Sequence, residues 1–229
     1  MENSRKKNLV IAIDGPAASG KSTTAKILAH NLHIVYVDTG AMYRACALKA
    51  LDGNIALTDM VNLEKMLKSM DIHIQYEEDG NRLFLDGKDV TERIREADIT
   101  TLSSTISQIG IVRERMVELQ RKMGEECSIV MDGRDIGTVV FPSADYKFFL
   151  VADAHTRAVR RWKEAKEKGE YLDLAKVEQE LLWRDKNDSE RAIAPLRKAE
   201  DAIMIDTSEM TIQQQVDEIM CVIEKHSVS

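Results

Sequence analysis

Residues 15–22 read Gly15-Pro16-Ala17-Ala18-Ser19-Gly20-Lys21-Ser22, and their flanks leave few folds open. The octapeptide fits G-x-x-x-x-G-K-[ST], a loop whose backbone N–H groups cradle the phosphates of a nucleoside triphosphate. Before it, Leu9-Val10-Ile11-Ala12-Ile13 is an apolar run that reads as a buried parallel strand. After it, the segment from Thr23 to His30 reads as a helix with Ile27 and Leu28 on its buried side. Strand, glycine loop and helix are the context this motif needs.

The residue types follow from the chemistry. Gly15 and Gly20 let the backbone curl so that several N–H groups converge on phosphate oxygens. The helix N-terminus adds about half a positive charge aimed at the same place. Lys21 brings a full charge to the β and γ phosphates, and the Ser22 hydroxyl can be offered to Mg²⁺. The triphosphate-binding set is therefore Gly15, Pro16, Ala17, Ala18, Ser19, Gly20, Lys21, Ser22 and Thr23.

The rest of the chain alternates strand and helix patterns. Strands are expected at 9–13, 34–38, 128–132, 146–151 and 202–206. Helices are expected at 21–32, 40–52, 59–70, 97–123, 154–168, 173–191 and 211–225. This alternation predicts an α/β fold with a parallel sheet covered by helices on both faces. Segment 71–90 departs from it: Ile72, Ile74 and Tyr76 alternate with polar residues, and a turn at Glu78-Asp79-Gly80-Asn81 leads to Leu83 and Leu85. It predicts a local antiparallel β-hairpin within an insertion at about 60–100.

At 229 residues with 44% hydrophobic and 31% charged side chains, the chain suits one globular α/β domain with an insertion. Apolar runs of about five residues are too short to cross a membrane, and the one after Arg5, Lys6 and Lys7 is too short for a signal peptide. Cys46, Cys127 and Cys221 lack C-x-x-C spacing and read as reduced thiols, so a cytoplasmic location is expected. A net charge of −7 argues against a broad nucleic-acid surface, and a monomer is the expected state. Anionic substrates would then need locally concentrated arginines.

Ile129-Val130-Met131 runs into Asp132-Gly133-Arg134-Asp135. An acid ending a buried strand is either an ordinary polar turn or a residue that organises Mg²⁺, and the phosphate loop favours the second reading for Asp132. Arg157, Arg160 and Arg161 fall at helical spacings of three and four. They read equally as a salt-bridged surface with Glu164 and Glu167 or as a basic flap over phosphates. In the second reading Arg157 serves the triphosphate, while Arg160 and Arg161 join Lys21 and Arg134 as catalytic cations. The five histidines lack metal-ligand spacing, and GTPase signatures N-K-x-D and D-x-x-G are absent. A small phosphotransferase with an arginine-rich acceptor site remains.

Four segments in order then resemble the bacterial cytidylate kinases: Gly15–Ser22, Asp38-Thr39-Gly40-Ala41-Met42-Tyr43-Arg44, the run from Asp132 to Pro142, and Arg191-Ala192-Ile193-Ala194-Pro195-Leu196. The resemblance spans almost the whole chain, and its D-[ST]-G-A-x-Y-R and G-R-D-x-G-T-V-V-F-P segments are specific within the nucleoside monophosphate kinases. It implies ATP-dependent phosphorylation of CMP and dCMP with Mg²⁺ held by Ser22 and Asp132. Ser104 (or its neighbour Ser103, on a one-residue slip), Arg113 and Asp135 would read cytosine, and Arg184 and Asp188 would hold the ribose. Thr39, Arg44, Arg134 and Arg191 would grip the acceptor phosphate, Thr39 keeping the hydroxyl of the serine some members have. The resemblance implies a core at 1–38 and 125–229, a monophosphate-binding region at 39–124 and a lid at 157–171. UMP or AMP as acceptor, and a non-catalytic nucleotide-binding regulator, are the alternatives to be tested.

Overall fold

The computed structural model describes residues 8–75, 81–167 and 169–227. Strand β1 (Val10–Asp14) leads through the phosphate loop into α1 (Lys21–Asn31), β2 (Val35–Asp38), α2 (Thr39–Asp52) and α3 (Met60–Ser69). A small antiparallel sheet follows: β3 (Ile72–Gln75), β4 (Arg82–Leu85) and β5 (Lys88–Asp89). The chain continues through α4 (Ala97–Ile106), α5 (Gly110–Glu126), β6 (Ile129–Gly133) and a π-helical turn at Ile136–Val140. It closes with β7 (Tyr146–Val151), α6 (Ala154–Glu167), α7 (Leu174–Glu190), β8 (Ile203–Asp206) and α8 (Ile212–Ser227).

The five long-range strands form one parallel sheet in the order β2-β6-β1-β7-β8. Each begins within one residue of its expected position. Alternation along the strands divides two cores. Val10, Ala12, Val37, Ile129 and Met131 pack with α2, α3, α4 and α5, while Ile11, Ile13, Tyr36, Val130, Phe148 and Leu150 pack with α1 and α8. Burial of both faces explains why β1, β6 and β7 read as continuous apolar runs, whereas the edge strand β8 exposes Ile203 and Met204.

Two expectations need correction. The helix expected at 97–123 is two helices, broken at Ser107–Ile109. The amides of Ser107, Gln108 and Ile109 close tight turns on Ser103, Thr105 and Ile106, and Arg113 caps the break by donating to the Ser107 carbonyl at 3.2 Å. The hairpin at 71–90 gains a third strand, β5, paired with β4. The turn expected at 78–80 lies outside the described residues.

The helical hairpin of α6 and α7 has its own small core of Ala158, Val177 and Leu181. Ala17 and Ala18 of the phosphate loop pack against it, so the segment expected as a lid is attached to the loop itself.

Candidate active site

Parallel strands bring their carboxyl ends to one edge, and the acids that end them meet there. Asp38 pairs in register with Asp132, and Asp14 with Gly133. Such an edge is where ligands bind in open α/β sheets.

The loop between β1 and α1 has the backbone its glycines predict. Gly15 and Gly20 sit at φ +146° and +94°, and Ala18 at φ +58°. A Cβ on Gly15 would lie 2.1 Å from the Leu150 carbonyl oxygen, so the loop runs directly over β7. Lys21 is buried and donates to the Pro16 carbonyl at 2.6 Å across the loop. Burial, helped by nearby Arg134, drives its ammonium down to about 7.

Asp132 stands on the α1 face of the sheet because it follows Val130 by two residues. Ser22 donates to its Oδ2 at 2.9 Å, and the buried Tyr36 hydroxyl donates to Oδ1 at 2.8 Å. Burial, with Asp38 adding repulsion, lifts Asp132 to about 6, and Lys21 opposes the rise. Ser22 and Asp132 offer hard oxygen donors suited to a small divalent cation. Among the described residues no group of three or more His, Cys, Asp or Glu is placed to hold an ion alone. One carboxylate and one hydroxyl suit a cation whose other ligands are phosphates and water.

The arginines and their acids form a second cluster. Asp135 is buried between two of them: Arg113 donates to Oδ2, and Arg191 donates to Oδ1 at 3.2 Å. Arg113 also lies over the Tyr43 ring, 5.6 Å from its centroid. Arg134 is held through Nε by Asp188 at 2.8 Å, and that ion pair, opposing burial, raises its proton affinity further. Arg184 is nearby; burial and the Arg134 charge push it down to about 10. Arg44 is tethered to Asp38 at 3.1 Å, and its buried Nε has no partner. Asp38 also accepts from the Ala41 amide at 2.9 Å, so one carboxylate caps α2 and aims Arg44. The Thr39 hydroxyl donates to the Asp132 carbonyl at 2.7 Å. Ser103 donates to Thr100 of its own helix at 2.8 Å, whereas Ser104 is half-buried on the adjoining position.

The three arginines of α6 do not form one open face. Arg157 is buried and holds the Ala17 carbonyl at 3.1 Å, the Ala152 carbonyl at 2.9 Å and Asp185 at 2.6 Å. Arg160 donates to the side chain and carbonyl of Thr207, whose hydroxyl donates to the Ser19 carbonyl at 2.9 Å. Arg161 is exposed. Asp185 and Thr207 thus take the partner role the sequence offered to Glu164 and Glu167.

Sequence reasoning passes over Asp14, Tyr36 and Thr207. Asp14 is buried, and its two oxygens accept the amides of Ile136 and Gly137 at 2.8 and 2.7 Å. Burial lifts it to about 6 against these two bonds. The π-helical turn behind Asp135 is therefore nailed to β1. An acid ending a buried strand is the signal that picks out Asp132, and it applies equally to Asp14.

The family model described as cytidylate kinase matches residues 11–225. The chain is 48% identical to a cytidylate kinase of Bacillus subtilis (strain 168) over 221 residues, covering 96% of this chain and 99% of the relative. It is 50% identical to one from Chloroherpeton thalassium over 217 residues, covering 92% and 91%. A crystal structure of an uncharacterized protein from Eubacterium ventriosum shares the fold, with a TM-score of 0.54, 15% identity and coverage of 95% and 99%. With the matched family model spanning nearly the whole chain, the chain belongs to the cytidylate kinase family.

Proposed function

We propose that the chain transfers the γ-phosphoryl group of ATP to CMP or dCMP. The observation that carries this reading is the buried Arg113–Asp135–Arg191 cluster, just beyond the strand that ends at Asp132 and Gly133. Cytosine presents an N4 amino donor and acceptors at N3 and O2. A buried carboxylate can accept from N4, and an arginine with a serine hydroxyl can donate to N3 and O2. Uracil reverses the pattern at N3 and position 4, and such buried mismatches reject an analogue by up to roughly 10⁴–10⁵-fold.

An oxygen of the acceptor monophosphate attacks the γ-phosphorus, and the bond from that phosphorus to the β–γ bridging oxygen breaks, releasing ADP. The acceptor oxygen is already anionic, so no strong base is needed. The work is alignment and charge neutralisation. Lys21 and the N-terminus of α1 face the donor phosphates. Arg44, Arg134 and Arg191 face the acceptor, with Arg160 and Arg161 on the lid helix. Arg184 and Asp188 serve the ribose, and Thr39 and Ser104 the acceptor phosphate and base. Mg²⁺, held by Ser22 and Asp132, supplies further neutralisation of the phosphates when bound. Arg157 acts from below the loop, where it fixes the Ala17 carbonyl.

The deciding experiment is an ADP-release assay with CMP, dCMP, UMP and AMP. Preference for CMP and dCMP is expected, and preference for AMP would overturn the reading. ATP binding without turnover on any monophosphate would identify a regulator instead.

A further inference from the structure

Tyr36 carries a hydroxyl where packing alone calls for none. Its ring lies in the same apolar cluster as Ala25, Leu28, Ala29 and Val130, and it is only 6% exposed. A phenylalanine would fill this place equally well. Burying a phenol there costs free energy unless the oxygen is satisfied. It is satisfied by Oδ1 of Asp132, to which it donates at 2.8 Å, and it also lies within reach of the Ser22 side chain.

The pairing is a product of the sheet. Tyr36 and Val130 are partners in the β2–β6 register, and both point toward α1. Asp132, two residues beyond Val130, points the same way, and the long phenol reaches diagonally to it. The backbone of Tyr36 is held as well: Asn81, the residue before β4, donates its side-chain amide to the Tyr36 carbonyl at 2.8 Å. That bond lies on β2, the outer strand of the parallel sheet.

A terminal carboxylate torsion is broad and has no sharp preference. One hydroxyl on Oδ2 would leave the group free to swing. Two hydroxyls on opposite oxygens, Ser22 and Tyr36, hold its plane. When the Ser22 oxygen turns to a cation, its bond to Oδ2 is spent, and the phenol is the donor left to hold the carboxylate.

We propose that Tyr36 is a positioning residue for the cation site: its hydroxyl locks Asp132 so that Oδ2 stays aimed at the space beside Ser22. The inference rests on the reading of Ser22 and Asp132 as the Mg²⁺ donors. Partners that orient a metal ligand commonly contribute about 10-fold or more to metal affinity.

The test uses Mn²⁺, titrated into the full-length enzyme with ADP and CMP and followed by the electron paramagnetic resonance of free Mn²⁺. Tyr36→Phe should weaken Mn²⁺ by about 10-fold. In turnover assays the loss should fall mainly on the metal concentration giving half-maximal rate. Replacing Tyr36 by 4-aminophenylalanine, which restores a donor at the ring tip, should recover most of the affinity. This second variant also keeps the test alive if the phenylalanine protein folds poorly. Asp132→Asn is measured alongside. If it loses Mn²⁺ while Tyr36→Phe does not, the positioning role is wrong and the metal assignment stands. If neither substitution changes Mn²⁺ affinity, the metal assignment itself fails and the role of Tyr36 falls with it.

Discussion

Arg113 and Asp135 form an ion pair in the protein interior, with side chains 4% and 7% exposed. They come from different layers of the molecule, Arg113 from α5 and Asp135 from the loop after β6. The pair is not self-contained, because Arg191 takes the second carboxylate oxygen. This makes a buried cluster of two cations and one anion, with a net positive charge.

Arg113→Met should therefore damage acceptor recognition selectively. Asp135 keeps Arg191, so the loss of stability should sit near about 3 kcal/mol, the low end for breaking a buried pair. The KM for CMP should rise roughly 100-fold or more while that for ATP stays within about threefold. Steady-state kinetics with each substrate varied, and urea unfolding, check both halves. Equal losses for CMP and ATP would remove Arg113 from the base site.

Proton uptake should accompany ATP binding. In the folded protein Lys21 is lowered to about 7 from an ordinary value of 10.5. Between those values the unfolded chain holds a proton that the folded chain lacks, so this residue's contribution to stability rises with pH across the window. Polyphosphate favours the ammonium form and reverses the preference. At about pH 8, ATP binding should take up about one proton, and at about pH 6 almost none. Calorimetry in two buffers of different ionisation enthalpy measures this directly. Lys21→Ala should abolish the uptake, lower kcat by roughly 10²–10³ and leave the fold intact by circular dichroism.

Asp14→Asn tests the support behind Asp135. An amide offers only one acceptor oxygen, and its NH₂ would face one of the two amides at Ile136 and Gly137. A loss of about 1–3 kcal/mol is expected. Because the same turn carries Asp135, kcat/KM for CMP should fall more than that for ATP.

The two loop glycines should differ in tolerance. Alanine at Gly15 meets a backbone carbonyl at 2.1 Å and a φ of +146°, with nothing soft to yield. It should cost more than about 3 kcal/mol or prevent folding. Alanine at Gly20 meets the tip of Gln215 at 2.6 Å, a side chain that can move. It should cost roughly 1–2 kcal/mol for the left-handed backbone, with a further loss of ATP affinity as Gln215 releases Thr24. Thermal unfolding and ATP titration separate the two.

The acceptor region and the α6–α7 hairpin should close on substrate. Arg160 and Thr207 already tie α6 to the Ser19 carbonyl, so movement of the loop on ATP can be passed to α6. Hydrogen exchange with ATP-analogue and CMP bound should show added protection in 157–167. No change there would count against closure.

Motifs confined to a few neighbouring residues are legible in the amino-acid letters. The loop at Gly15–Ser22 depends on close chain neighbours and on two glycine backbones, so its letters suffice. The inner strands are legible because burial on both faces makes each an apolar run bounded by polar ends; the exposed edge strand β8 is legible only from its short β-branched run. The segment 97–123 hides its break for the converse reason. No proline marks it, and the turn at Ser107–Ile109 exists because Arg113 reaches back to cap it on its way to Asp135. Asp14, Tyr36 and Thr207 look like ordinary residues of strands and strand ends in the letters. Their partners lie 122, 96 and 188 positions away in the chain. Spacing along a chain encodes local backbone geometry. Which hydroxyl meets which carboxylate is decided by sheet order and register, and these exist only once the whole sheet has formed.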